Sequence, residues 1–447
     1  MNPAKLTDAL SGLGFDIEAA RTRALLVDTA VRCHAQDTGR APVWAWVVPG
    51  RIEIFGKHTD YAGGRSLIAA VPRGFAVVAS PRRDGVICVR DARTREERAM
   101  DAADVATAFS GWFRYVAVVV RRLARNFPGA PLGADVTFTS DLPRAAGLSS
   151  SSVLIVSMAT ALSRAADLEA RPEWRAAVRS RHDLAGYLGA MESGLSFGLL
   201  AGDGGIGTHG GSEDHTAILT CRAGYVSACR FVPIRPIGDV AMPEDWCFVI
   251  ASSGIKADKA GAAQDRYNRA SLATRALVDL WNAARGSDHA TLAEVLSSAP
   301  NAAADLWQIV GETTREDFSA DELARRLAHF IAEDGRILDA MQAFRSADRQ
   351  AVGALANGSQ TDARHLLANQ TDETAALARL AIETGAFAAT SFGAGFGGSV
   401  WALVLSAEAP AFCGRWVAAY RTQHPHVSGV ECLVARPAPS LAEVRPT

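Results

Sequence analysis

Leu142-Pro143-Arg144-Ala145-Ala146-Gly147-Leu148-Ser149-Ser150-Ser151-Ser152 is the stretch on which the reading of this 447-residue chain turns. Before it, Asp135 to Thr139 alternates polar and apolar residues, as a half-buried strand does. After it, Leu154, Met158 and Leu162 recur four apart, as on one face of a helix. A strand passing into a helix through glycine and small residues lets backbone N–H groups approach an anion closely. The helix N-terminus adds unpaired donors and a positive dipole end. Serine hydroxyls at such a turn can cap the helix, donate to phosphate or coordinate Mg²⁺. Four serines in a row are poor helix formers and more than a cap requires. The segment reads as a phosphate cradle, although not of the Walker type, since GxxxxGK[ST] is absent.

Two other segments carry chemistry. Pro49-Gly-Arg-Ile-Glu-Ile-Phe-Gly-Lys-His-Thr-Asp-Tyr-Ala-Gly-Gly64 gathers ionisable groups between strand-like runs. Arg51 can neutralise charge there, and His58 and Asp60 can bond to hydroxyls. The turn signal Pro49-Gly50 predicts the end of the strand Val43–Val48, and Ser66–Val71 and Phe75–Ser80 read as separate strands. Ser391-Phe-Gly-Ala-Gly-Phe-Gly-Gly-Ser-Val400 contains GxGxxG at Gly393, Gly395 and Gly398. A dinucleotide fingerprint follows a strand and opens a helix, whereas this one is expected to follow a helix and open a strand. A glycine turn packing its backbone close to a ligand fits better.

The bulk numbers bound the partners. A formal net charge of −2 gives no electrostatic footprint for nucleic acid or an anionic membrane, so phosphate binding has to be local. No run approaches the ~20 apolar residues of a membrane span. The seven cysteines are scattered without zinc-like pairs, which predicts reduced thiols in a cytoplasmic protein. Strand-rich character gives way to helix-rich character near Val240, so the expected organisation is an α+β chain of two lobes, residues 1–240 and 241–447.

In this order the three segments resemble the signature motifs of the GHMP kinases, and of the galactokinases in particular. GRIEIFGKHTDYAGG is similar to GRxNxxGEHTDYxxG, PRAAGLSSSSV to PxGAGLSSSAA, and GAGFGGSVWAL to GAGFGGCxxAL. The resemblance runs from about Val43 to Leu405 and implies a two-lobed fold with the active site in the cleft. It implies ATP and Mg²⁺ as cofactors, with Gly147, Leu148, Ser149, Ser150, Ser151 and Ser152 holding the nucleotide phosphates. Trp112 would lie near the adenine, and Ser151 and Glu192 would hold the metal. Arg51 and Asp214 fall on the catalytic positions, with Asp203 as a fallback because the loop between Glu192 and Asp214 is longer than the family's. Lys57, His58, Asp60 and Tyr267 fall on sugar-contacting positions.

One departure bears on the substrate. The signature has glutamate where this chain has Lys57, and an ammonium in place of an acceptor reverses which partner is welcome. The expected acceptor is therefore a sugar or a sugar acid such as a uronate, provided that Lys57 does not pair with a protein acid instead. The product is expected to be a phosphate ester, anomeric by family default, made by a monomer or homodimer. The alternatives are a GHMP kinase of a non-sugar alcohol and a non-catalytic regulator that binds sugar and ATP.

Overall fold

Twelve strands in two sheets carry the site in the computed structural model, which describes residues 3–143, 147–255 and 262–445. Arg144 to Ala146 of the serine loop lie outside the described residues. The first sheet contains β1 (Trp44–Phe55), β2 (Arg65–Pro81), β3 (Val86–Asp91), β4 (Glu96–Asp101), β5 (Ala134–Ser140), β6 (Tyr225–Arg230) and β7 (Arg235–Ala241). The second is built from β8 (Trp246–Ser252), β9 (Ala388–Ser391), β10 (Ser399–Leu405) and β11 (Cys432–Ala435), in the order β11-β8-β10-β9. The last strand, β12 (Ala442–Val444), returns to the first sheet and pairs with β1, opposite Ala45 to Val47. That sheet runs β12-β1-β2-β5-β3-β4, with β6 on the other half of β2; β3 and β5 are parallel and the other pairs antiparallel.

Both faces of the first sheet are covered at its centre, so β1 and β2 read as nearly continuous apolar runs, whereas β4 and β7 are largely exposed. Ala45 and Val47 of β1 pack with Ala76 and Val78 of β2 against the helices Pro3–Gly12 and Ile17–Thr38. Trp46, Val48, Ile52 and Ile54 face the other way, toward the helices Phe113–Asn126, Ser150–Ala165 and Arg181–Ser193. The second helix shows why its ends fall where they do. Asp16 accepts a hydrogen bond from the Ala19 amide at 2.9 Å, and Gly39 closes the other end at φ 71°.

Two expectations need correcting. The strand predicted to stop at Pro49-Gly50 runs on to Phe55, with a register shift between those two residues. A bulge tolerates a proline without an N–H, and a Cβ at Gly50 would press on the Leu142 side chain and the Leu148 carbonyl. Likewise Ser66 to Ser80 forms one bent strand that pairs with β6 through its first part and with β5 through its second.

The cysteines also depart from the reading as seven reduced thiols. The helix Ala409–Gln423 packs beside β11 and brings Cys413 to Cys432, 19 residues apart in sequence, with Cα atoms at 6.2 Å; the two are disulfide-bonded. Cys33, Cys88, Cys221, Cys229 and Cys247 are free. Among the described residues no helix is long and apolar enough to cross a membrane.

Candidate active site

Arg51 leaves β1 just beyond the bulge and is almost fully buried, at 4 % exposure. Its Nε donates to Asp214 Oδ1 at 2.5 Å and its Nη1 to the Gly147 carbonyl at 2.7 Å. One guanidinium thus joins the first signature, the serine loop and the helix Glu213–Thr220. Burial alone would depress the Arg51 pKa, but the charges of Asp214, Glu213 and Glu53 outweigh it and raise the pKa.

The serine loop arrives at the same point. Gly147 has φ 72° and Ser149 φ 63°, left-handed values that swing the backbone into the helix start. Ser149 stands at the N-cap position of the helix Ser150–Ala165, yet its hydroxyl does not cap. It donates to Asp214 Oδ2 at 2.6 Å, and Ser152 Oγ does so at 3.1 Å. With the cap side chain turned away, the first-turn amides are not spoken for by Ser149. Ser152 Oγ is also 3.2 Å from Glu192 Oε2, which in turn lies 3.3 Å from His215 Nε2.

Two cavities meet at this junction. One has a volume of about 530 Å³ and is walled by Gly147, Ser149, Ser150, Ser151, Trp112 and Tyr115. The indole of Trp112 is held by its Nε1 bond to Glu96 at 2.9 Å and by edge contact with Phe138. Leu148 is buried in the core behind the loop and does not line the cavity. The other cavity is walled by Glu53, His58, Asp60, Glu192, Glu213 and Tyr267. Arg51 and Asp214 line both.

The second cavity is shaped by the loop after β1. His58 is held at φ 56°, with Nδ1 2.9 Å from the Tyr61 hydroxyl and Nε2 3.2 Å from the Ala394 carbonyl. Its ring lies 5.0 Å from that of Tyr267 on the helix Ala262–Arg285. Asp60 accepts from the Glu213 amide at 3.1 Å, and a Cβ at Gly211 would collide with its carboxylate, so the glycine is required there.

Lys57 stands apart from the other sequence-predicted residues. It is fully buried and outside both cavities, donating to Ser359 Oγ at 2.5 Å with Glu333 Oε1 3.8 Å away. Glu333 also receives the amides of Gly56 and Lys57 and the guanidinium of Arg336. Despite its burial, the Lys57 charge and its neighbours hold the Glu333 pKa at about 2. The lysine pairs with a protein acid and offers no cation to an acceptor. Asp203, the fallback acid, is paired with Arg122 at 3.2 Å and lines neither cavity.

Sequence reasoning passed over Glu53 and Glu213. Both are buried cavity-wall carboxyls; Glu53 lies inside the first signature segment and Glu213 is the neighbour of Asp214. Glu53 Oε2 accepts the Gly393 amide at 2.7 Å, which docks the third glycine motif onto β1. That motif is a turn between strands β9 and β10, so it follows a short strand and not a helix.

Family models match three parts of the chain. The galactokinase galactose-binding signature matches residues 32–81, the GHMP kinase N-terminal domain residues 114–194, and the GHMP kinase C-terminal domain residues 340–422. The three matches, in this order along the chain, support a galactokinase-like kinase of the GHMP superfamily. A galactokinase of Chloroflexus aurantiacus is 28% identical over 423 residues, which are 92% of this chain and 98% of that protein. One of Mycobacterium tuberculosis is 29% identical over 362 residues, 80% and 87% of the two chains. In fold, the kinase is similar to the crystal structure of Lactococcus lactis galactokinase complexed with galactose. The TM-score is 0.76 at 22% identity, covering 94% of this chain and 100% of that one. Mevalonate kinase of Methanococcus jannaschii shares the fold more distantly, with a TM-score of 0.54 at 13% identity and coverage of 89% and 99%.

Proposed function

We propose that this kinase transfers the γ-phosphoryl group of ATP to a hydroxyl, the anomeric one by family default, of a galactose-like hexose. The observation that carries the reading is the shared wall. A cavity with a serine-lined helix start and a tryptophan lies beside a cavity with His58, Asp60 and Tyr267, and Arg51 and Asp214 line both. The curated relatives named galactokinase support the acceptor class.

Phosphoryl transfer passes through a loose transition state, so positioning and charge stabilisation are what the protein supplies. The amides at the start of the helix Ser150–Ala165 receive the phosphates. Arg51 neutralises charge on the transferred group and holds the Asp214 carboxylate in place through their bond at 2.5 Å. Asp214 accepts or directs the proton of the incoming hydroxyl. His58, Asp60 and Tyr267 line the space for the acceptor's other hydroxyls.

The Ser152 hydroxyl lies 3.2 Å from the Glu192 carboxylate, and Ser151 lines the neighbouring nucleotide cavity, oxygen donors of the kind that suits Mg²⁺. Ser151 and Glu192 would hold the ion, and its chemistry would be to offset the charge of the phosphates. A sugar-acid acceptor loses the support it had from Lys57, whose ammonium is committed to Ser359 and Glu333. A coupled assay of ADP release with Mg²⁺-ATP and a panel of hexoses, hexuronates, mevalonate and homoserine tests the reading. Turnover confined to sugars is expected, and turnover confined to the non-sugar alcohols would overturn it.

A further inference from the structure

The acceptor cavity holds more carboxyl groups than its cations can match. Of the positive groups nearby, Lys57 is spent on Ser359 and Glu333, and Arg336 on Glu333 and Asp362. Arg51 is bonded to Asp214. Both ring nitrogens of His58 already have partners in Tyr61 and Ala394. Left on the wall are Glu53, Asp60, Glu192 and Glu213. Asp60 is satisfied by the amides of Tyr61 and Glu213, and Glu192 faces Ser152 and His215.

Glu53 is different. It is 3 % exposed, its Oε2 takes the Gly393 amide, and its Oε1 is buried without a hydrogen-bond partner while the residue lines the cavity. Glu213 stands on the same wall, with Oε2 bonded to Ser66 at 2.9 Å and Oε1 3.9 Å from Arg51. The signature quoted above has an uncharged asparagine where this chain has Glu53. A buried carboxylate oxygen with nothing donating to it is costly, and the cost is removed by a ligand that brings donors and positive charge.

We infer that the acceptor is an amine-bearing sugar, a hexose whose protonated amino group is received by Glu53 with Glu213 beside it. An ammonium supplies three donors and a unit charge where a hydroxyl supplies one donor. Burial pushes Glu53 up to about 7, and it pushes Glu213 well above the usual carboxylate range with the Glu53 charge adding to the effect. Burial thus favours the neutral form of Glu53 and Glu213 when no cation faces them. An arriving cation changes that balance in a way that a neutral sugar does not.

The inference rests on the kinase reading above, and one panel separates the two. The wild-type enzyme is assayed for kcat/KM with Mg²⁺-ATP and four acceptors: galactose, galactosamine, N-acetylgalactosamine and galacturonate. Galactosamine is expected to exceed galactose by about 10-fold or more, the worth of one charge-assisted hydrogen bond. N-acetylgalactosamine, which carries the nitrogen without the charge, is expected to fall below galactosamine, and galacturonate to be the poorest. In Glu53→Gln, which keeps the shape and the bond to Gly393, the galactosamine-to-galactose ratio falls toward one. Galactose equal to or better than galactosamine, or a ratio unmoved by Glu53→Gln, overturns the inference and leaves the sugar kinase standing. Absence of turnover with all four sugars overturns the kinase reading itself.

Discussion

Asp214 takes three short bonds, from Arg51, Ser149 and Ser152, and each comes from a segment that also walls the nucleotide cavity. Asp214→Asn keeps the shape and removes the charge. It is expected to lower kcat by about 10²- to 10⁴-fold, the usual worth of a positioned acid or base, while ATP affinity changes by no more than a few-fold. Single-turnover rates and nucleotide titration of the same preparation check both halves. Glu53 supplies a second test at this scale, now on the free protein. Its pKa is raised to about 7 by burial, against the lowering charges of Lys57 and Arg51 and with the Glu333 charge raising it. The folded state then binds more protons than the unfolded state between the ordinary glutamate value and about 7, so this group's contribution to stability declines as pH rises through that window. Glu53→Gln should melt close to wild type at pH 5 and above it at pH 8, without ligand; a difference between the two proteins that does not depend on pH would refute the assignment. The role of Arg51 could be proposed from the sequence because it sits in the first signature, whereas that of Asp214 rests on the family resemblance across a loop longer than the family's, with Asp203 as a fallback. Glu53 sits in the same signature as Arg51 and was passed over, since only its surroundings reveal that one of its oxygens is left without a donor.

At the scale of elements, the loop after β1 is held by a charge pair that no local pattern announces. Lys57 meets Glu333 on the helix Ala320–Arg345 and Ser359 on the helix Arg349–His365. Lys57→Met removes one buried cation from Glu333, which keeps Arg336 at 2.7 Å, and is expected to cost about 1–3 kcal/mol, a loss read from urea unfolding. Adding Glu333→Gln to that variant should recover part of the loss, because a neutral pair carries no stranded charge. If the double variant is no better than the single, the lysine is held by packing and not by charge. The alternation of β5 and the four-residue spacing after Ser150 were plain in the sequence, and both elements are where that periodicity put them. The end of β1 was not, because Pro49-Gly50 has the composition of a turn and the geometry of a bulge. Local composition cannot distinguish the two; the Leu142 side chain and Leu148 carbonyl packed over Gly50 do.

For the whole molecule, the change of sheet falls between β7 and β8, near where strand-rich sequence gives way to helices. What composition did not show is that the chain crosses back. After β11 pairs with β8 in the second sheet, β12 pairs with β1 in the first, and the Ala438 amide reaches the Ala70 carbonyl on β2. The short run at 442–444 has too few residues for a strand signal of its own, and its partner lies roughly 400 positions away. Deleting residues 432–445 strips an edge strand from each sheet, and with it the cover over the unpaired side of β1. Such a variant is expected to lose cooperative unfolding and to aggregate on concentration, as read by calorimetry and light scattering. Retention of a single sharp transition at the wild-type temperature would show the return to be dispensable.

The position of β12 also sets a schedule for the newborn chain. Arg51 and its neighbours are translated early, yet the strand that seals the border of their sheet leaves the ribosome only after the whole second sheet has been made. Until then the backbone of Trp44 to Val48 is open to any passing extended segment. That border is where the growing chain is most open to mispairing.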